Sequence, residues 1–146
     1  MILLTRLRFN LLLYCCALMI GCAKDDGLKL YPVSGRVLLG GKPLTGVAQG
    51  GVSFRGHALK GNDTLHQPTG PIDTEGTFAL FTAGKKGAPL GWYKVVVAAY
   101  ANTLAEGPVR PRLLLDPKYY DVKKTDLSIE VVAEPAPGAY DLNVSK

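Results

Sequence analysis

Apolar and polar residues alternate with a period of two in several short segments after residue 30. The clearest runs cover residues 31–39, 51–55, 77–82, 127–131 and 140–144. A period of two is that of a β-strand with one face buried. Segments rich in Gly and Pro separate the runs, and no segment has a convincing helical period. The pattern therefore predicts one all-β domain with about six or seven short strands, closed as an antiparallel sandwich.

One predicted strand stands apart from the others because it is apolar on both faces. Residues 92–100 read WYKVVVAAY, with no charge after Lys94. Aromatic and β-branched residues favour strands. Apolar residues on both faces favour a position inside a sheet, with a neighbouring strand along each edge. This segment is therefore predicted to be a central strand.

The segments between strands have the composition of turns and loops. Asp73-Thr-Glu-Gly76 has Asp at the first and Gly at the fourth position of a β-turn. A single strand is predicted after it, over residues 77–82. Residues 56–71 form a polar loop that holds both histidines of the chain, and we expect this loop to be mobile.

The first 21 residues differ from the rest of the chain. Arg6 and Arg8 precede a run of twelve residues, 9–20, that has no charge. A basic start, a short apolar run and a small residue before the cleavage site are typical of a secretory signal peptide. The run is shorter than the roughly 20 apolar residues of a membrane-spanning helix. A buried core helix or an uncleaved anchor is the alternative interpretation.

The end of this leader resembles the bacterial lipobox. Gly21 and Cys22 match its small residue and its cysteine, and Met19 stands where Leu is usual. The resemblance implies that Cys22 is lipidated and becomes the N-terminus after cleavage. Each buried CH₂ contributes about 0.8 kcal/mol, so several acyl chains hold a protein stably on a membrane. The alternative is an incidental cysteine in a leader cleaved nearby.

This reading divides the chain into a signal peptide (1–21), a lipidated cysteine with a tether (22–30) and a β domain (31–146). The other two cysteines, Cys15 and Cys16, lie in the leader. The mature domain is therefore expected to fold without a disulfide. The formal charge of +5 includes Arg6 and Arg8. The remaining basic residues form no stripe of the kind that binds nucleic acid, so no nucleic-acid partner is predicted.

Few residues are candidates for chemistry. His57 and His66 lie in the polar loop with Asp63 between them, and no metal-binding or nucleophile motif accompanies them. A hydrolase or metal-dependent enzyme with an unrecognised site around these histidines is the alternative hypothesis. The favoured interpretation assigns Asp73 and Glu75 to the turn, and predicts no catalytic residue, no metal and no cofactor.

Adjacent aromatic residues are the candidates for contact with a ligand. Tyr119 and Tyr120 are the candidate contact surface, with Trp92 and Tyr93 as a second pair. Exposed aromatic rings stack on sugars or anchor protein partners. The favoured interpretation is that one residue of each pair faces the core and the other covers the sheet.

The order of several segments resembles the carboxypeptidase regulatory-like domain family. The segments are Tyr31–Val37, Gly41–Leu44, Asp73–Leu80, Gly91–Val97 and Tyr140–Val144. The resemblance implies a seven-stranded prealbumin-like (Ig-like) sandwich, of the kind found in short bacterial lipoproteins, and no peptidase activity. The sequence as a whole predicts an exported, non-enzymatic envelope lipoprotein, lipid-anchored to a bacterial cell membrane. We expect it to serve as a binding or structural module whose partner is an envelope protein or a glycan.

Overall fold

Strands dominate the structure, as the alternation predicts. The computed structural model describes residues 27–101 and 111–146. Within these ranges the chain forms eleven strands, two 3₁₀ turns (Ala58–Lys60 and Pro117–Tyr120) and no α-helix. The strands are β1 (Ser34–Leu39), β2 (Lys42–Pro43), β3 (Val47–Gly56), β4 (Thr69–Pro71), β5 (Thr77–Ala79), β6 (Phe81–Thr82), β7 (Lys85–Lys86), β8 (Gly91–Ala101), β9 (Arg112–Leu113), β10 (Ser128–Val131) and β11 (Leu142–Val144). The all-β prediction is confirmed, whereas the described strands outnumber the seven that the family resemblance implies.

The larger sheet is built on the antiparallel pair of β3 and β8. Its strand order is β10-β8-β3-β4-β6-β7, and β9 also pairs with β8. The register runs from Val47 opposite Ala101 to Gly56 opposite Tyr93. Every second residue of β8 is buried, which places one face of this strand against the core. The prediction that residues 92–100 form a central strand is confirmed, because β8 lies between β3 and β10.

The smaller sheet joins the two ends of the domain. Its order is β11-β1-β2, and β5 also pairs with β1. The pair of β1 and β11 is parallel, with Val37 opposite Leu142. The expectation of a purely antiparallel arrangement is therefore wrong at this pair. Alternation along a strand does not depend on the direction of its neighbour, so the sequence pattern did not distinguish the two cases.

The two sheets share one hydrophobic core. Val33, Val37 and Leu142 contribute to it from the smaller sheet and the segment leading into it, and Phe54 and Tyr93 contribute from the larger sheet. Phe54 and Tyr93 lie on adjacent strands with ring centroids 5.5 Å apart. The two sheets bury the sides that face each other, and this arrangement is compatible with a β-sandwich.

The strand predicted over residues 77–82 is divided between the two sheets. Its first part, β5, pairs with β1, and its second part, β6, pairs with β4. Leu80 lies between them, is fully buried, and donates its N–H to the carbonyl oxygen of Val33 over 2.9 Å. The backbone of Gly70 passes so close to the carbonyl of Ala79 that a Cβ there would overlap it. The single-strand prediction is corrected to a strand that changes sheet at Leu80.

The predicted signal peptide and the lipidation site lie outside the described residues. No helix in residues 27–101 and 111–146 has the length and apolar character required to span a membrane.

A buried and an exposed leucine provide a matched test of the core. Leu80 is 0% exposed and Leu59 is 95% exposed. We expect Leu80→Ala to lower the free energy of unfolding by about 2–5 kcal/mol, because it removes a packed side chain and leaves a cavity. Leu59→Ala should change it by less than about 0.5 kcal/mol. Urea unfolding followed by circular dichroism measures both values, and equal effects would contradict the described core.

Candidate functional site

The N-terminal segment joins the domain at one end of the sheets. Tyr31 and Ala88 exchange two backbone hydrogen bonds of 2.9 Å, so the segment before Tyr31 leaves the fold beside the loop of residues 83–91. The loop of residues 57–66 lies beside the end of that loop, because Asn62 Nδ2 donates over 2.9 Å to the carbonyl oxygen of Trp92, the residue that follows it. We call residues 27–31 and these two loops the tether end.

Backbone hydrogen bonds give the histidine loop a defined shape. The His57 N–H donates to the carbonyl oxygen of Trp92 over 3.0 Å, and the Asn62 N–H donates to the carbonyl oxygen of His57 over 3.2 Å. The Asn62 side chain accepts from the N–H of Thr64, and the Thr64 hydroxyl accepts from the N–H of His66. These hydrogen bonds tie the segment to itself and to the start of β8.

Neither histidine belongs to a recognisable metal site in this structure. His57 and His66 are both half-buried. Among residues 27–101 and 111–146, no three His, Cys, Asp or Glu side chains come together in an arrangement that would hold a metal ion. A structural zinc site needs four ligands and a catalytic one needs three. The geometry therefore adds nothing to the alternative hypothesis of a metal-dependent enzyme around these residues.

The aromatic pair at the start of β8 divides between the core and the surface. Tyr93 is fully buried, donates its hydroxyl to the carbonyl oxygen of Pro89 over 2.9 Å, and has its pKa raised by burial. Trp92 is half-buried, and the ammonium of Lys60 lies 3.6 Å from the centroid of its ring. That ammonium also donates to the hydroxyl of Ser128 over 3.2 Å. Lys60 therefore covers the exposed face of Trp92.

Tyr119 and Tyr120 do not form an exposed surface. Tyr119 is 3% exposed, and its hydroxyl accepts from the N–H of Ser145 over 3.2 Å. Tyr120 is half-buried and donates its hydroxyl to the carbonyl oxygen of Ala99 over 3.0 Å. Both rings close the fold around β8 and the C-terminal segment. Tyr119 is thus a core residue and Tyr120 covers the sheet edge, which agrees with the favoured interpretation of the pair and not with the candidate contact surface.

An open depression lies elsewhere, beside the first and last strands. It is an open groove of about 630 Å³. We call it the Arg36 groove, and its side chains include Arg36, Asp73, Phe78, Phe81 and Asp141. Phe81 is partly exposed there, whereas Phe78 belongs to the core. The groove therefore combines an accessible aromatic ring with charged groups.

An ion pair forms one wall of the Arg36 groove. Arg36 Nη2 donates to Asp141 Oδ2 over 2.7 Å, and the Arg36 backbone N–H donates to Asp141 Oδ1 over 2.9 Å. The Arg36 guanidinium holds the pKa of the Asp141 carboxyl below its ordinary range. The sequence analysis did not single out this pair. The signal available was opposite charges on the predicted first and last strands.

The second carboxylate of the groove stabilises a turn, as predicted. Asp73 accepts hydrogen bonds from the N–H groups of Glu75 and Thr77 over 2.9 and 2.8 Å, and from the Thr77 hydroxyl. These bonds, chiefly those from Thr77, lower the pKa of Asp73. Gly76 has a φ of 77°, a conformation that glycine adopts without strain. Hydrogen bonds from donors of the fold therefore favour the ionised form of both carboxyl groups that line the groove.

The chain matches no protein-family model, no curated protein and no solved structure in our comparisons. The resemblance to the carboxypeptidase regulatory-like domain therefore stays a prediction.

The Arg36–Asp141 pair is expected to add pH-dependent stability. A carboxylate whose pKa is lowered by folding stabilises the protein above its unfolded pKa of about 4, and this contribution is lost as the pH falls through the folded pKa. We expect Asp141→Asn to lower the melting temperature at pH 7 by about 3–6 °C, because it removes two charge-assisted hydrogen bonds. The difference from the parent protein should shrink below about pH 4.

Asp63→Asn is the control for this measurement, because Asp63 is an exposed carboxylate in a loop. It should leave the melting temperature within about 1 °C of the parent value. A difference between Asp141→Asn and the parent that is the same at pH 3 and pH 7 would contradict the assigned role of the ion pair.

The burial of Tyr119 is tested by stability rather than by binding. We expect Tyr119→Ala to lower the free energy of unfolding by about 3 kcal/mol, because a large buried ring is removed. Tyr119→Phe keeps the ring and should cost about 1 kcal/mol through the lost hydrogen bonds. Chemical denaturation of both variants measures these values. An unchanged stability in Tyr119→Ala would restore Tyr119 as a surface contact residue.

Proposed function

We propose that the protein is an exported bacterial lipoprotein, anchored to a cell membrane through Cys22, whose β domain is a non-enzymatic binding or structural module. The finer fold that we propose is the prealbumin-like sandwich of the carboxypeptidase regulatory-like domain. Its support is the all-β chain with two sheets around one core.

The position of the cysteines carries the proposal of a lipid anchor. All three cysteines precede residue 23, and the core is made of residues from Val33 to Val144. The core of the described residues is therefore built without a cysteine. The uncharged run of residues 9–20 and the adjacent Gly21 supply the remaining features of a lipoprotein leader.

The side chains of the Arg36 groove support a binding role rather than a catalytic one. A general acid or base acts best when its pKa lies near the working pH. The pKa values of Asp73 and Asp141 are both lowered by their hydrogen bonds, which moves them away from neutral pH. The accessible ring of Phe81 next to the Arg36 ion pair offers aromatic and polar contacts to an envelope protein or a glycan.

Mass spectrometry of the protein extracted from bacterial membranes tests the anchor. We expect an N-terminal peptide that begins at Cys22 and carries the mass of a diacylglycerol, with or without a further acyl chain. Cys22→Ser should move the protein from the membrane fraction to the soluble fraction or leave the precursor uncleaved. Cys16→Ser is the matched control and should leave both the modification and the fractionation unchanged.

Two results would contradict the proposal in separate ways. An unmodified N-terminus at another position would remove the lipid anchor. Hydrolysis in an esterase, peptidase and glycosidase screen that is lost in His57→Ala or His66→Ala would show that the domain is an enzyme.

A further inference from the structure

We propose that the tether end lies directly on the phospholipid surface, with its exposed leucines in the interfacial layer and its lysines beside anionic headgroups. This inference rests on the proposed anchor at Cys22. It goes further because it assigns a second, non-covalent membrane contact to the folded domain and thereby fixes the domain's orientation.

The path of the chain brings this end close to the anchor. Tyr31 is fixed to the sheet by its bridge to Ala88, and residues 22–30 span at most roughly 32 Å even when fully extended, at about 3.5 Å per residue. The opposite end of the domain is farther away. β8 starts at the tether end and runs for eleven residues to Ala101, which corresponds to roughly 33 Å.

Exposed apolar side chains are concentrated at the tether end. Leu59 is 95% exposed and Leu65 is 94% exposed, and Leu90 of the neighbouring loop is about half exposed. A single exposed leucine needs no explanation. Here two almost completely exposed leucines lie in one short loop, and the third lies in the loop whose end is beside it. Apolar side chains inserted to the depth of the headgroup boundary strengthen membrane binding in proportion to the area they bury.

The loop presents these leucines from a fixed backbone. Leu59 lies in the 3₁₀ turn that is closed by a 2.8 Å hydrogen bond from the N–H of Lys60 to the carbonyl oxygen of His57. Leu65 follows Asn62, whose side chain binds the loop to the carbonyl oxygen of Trp92. A loop that is already ordered loses less conformational entropy on binding than a disordered one.

The charges of the tether end complement an anionic surface. Residues 27–31, 57–66 and 83–91 contain four basic residues and one acidic residue, Asp63. The basic residues are Lys29, Lys60, Lys85 and Lys86. The preceding tether has one further basic residue, Lys24, and two acidic residues, Asp25 and Asp26. A basic residue near an anionic leaflet is attracted to it. Trp92, with Lys60 over its ring, has the amphipathic character of side chains found at membrane interfaces.

Among residues 27–101 and 111–146, the far end of the domain lacks this combination. The described residues around β9 include Arg112 and Lys146 but one exposed leucine, Leu113, which is 44% exposed. The tether does not leave from this end. Leu113 is therefore a matched control position for Leu59.

Fluorescence of chemically anchored protein tests the orientation. A chain that begins at Cys22 retains every core residue, because the core runs from Val33 to Val144. Its single cysteine can be coupled to a maleimide lipid in vesicles of phosphatidylglycerol and phosphatidylcholine. Trp92→Phe leaves no tryptophan, and Leu59→Trp or Leu113→Trp then adds one probe at either end. Circular dichroism and melting temperature verify that each variant is folded.

We expect the probe at residue 59 to emit at shorter wavelength on the vesicles and to lose about half of its intensity when the lipids are brominated, since interfacial side chains enter the bilayer by only 5–10 Å. The probe at residue 113 should change in neither respect. Vesicles of phosphatidylcholine alone should reduce the quenching at residue 59. Equal quenching at both positions, or none at either, would overturn the proposed orientation. Quenching at residue 59 that is the same on both kinds of vesicle would overturn the role assigned to the lysines.

The coupling chemistry keeps this test separate from that of the anchor. Maleimide lipid attaches the chain at Cys22 whether or not a cell lipidates this residue. Absence of the lipid in cells would therefore refute the proposed function while the quenching experiment still reports on the surface. Conversely, a lipidated protein whose tether end gives no quenching would refute only the present inference.

Discussion

The antiparallel pairing of β3 with β8 is the contact on which the other parts of the fold depend. It is the longest pairing in the described chain and connects the tether end to the far end. β4 extends it on the side of β3. On the other side, β10 and β9 pair only with the two ends of β8. Between them the Thr125 hydroxyl donates to the carbonyl oxygen of Val95 over 2.8 Å, and the Tyr120 hydroxyl donates to that of Ala99. Side-chain hydroxyls thus bind carbonyl groups of β8 along the part of its edge where no strand is paired.

The smaller sheet depends on residues from both ends of the domain. β11 pairs with β1, and the Asp141 carboxylate binds both the backbone and the guanidinium of Arg36. The backbone at Gly35 lies so close to the carbonyl of Tyr140 that a Cβ would overlap it. The last residues of the domain therefore pair directly with β1 and supply Leu142 and Val144 to the core. The walls of the Arg36 groove include Arg36 and Asp141, which are 105 positions apart in the sequence. The groove is therefore a feature of the complete fold.

Local patterns predicted the parts of the structure that local forces determine. The apolar segment that became β8, the buried series Tyr140, Leu142 and Val144, and the Asp73 turn all follow from alternation or turn chemistry. The change of sheet at Leu80 has no local signal, because inward-facing residues alternate in the same way in both sheets. Two adjacent tyrosines do not reveal which one is buried, and the partners Arg36 and Asp141 are 105 positions apart. These features are set by tertiary packing, which one sequence does not display.

The parallel course of β1 and β11 determines where the polypeptide emerges. β1 leads away from the tether end, and β11 runs in the same direction, so Ser145 and Lys146 lie at the far end of the domain beside Asp116. A fluorescent protein or affinity tag fused after Lys146 would thus extend away from the tether end. Ser145 is hydrogen-bonded to both Asp116 and Tyr119, so a flexible linker after Lys146 would keep the fusion from pulling on these bonds. A fusion at this position would consequently leave the surface of the tether end uncovered.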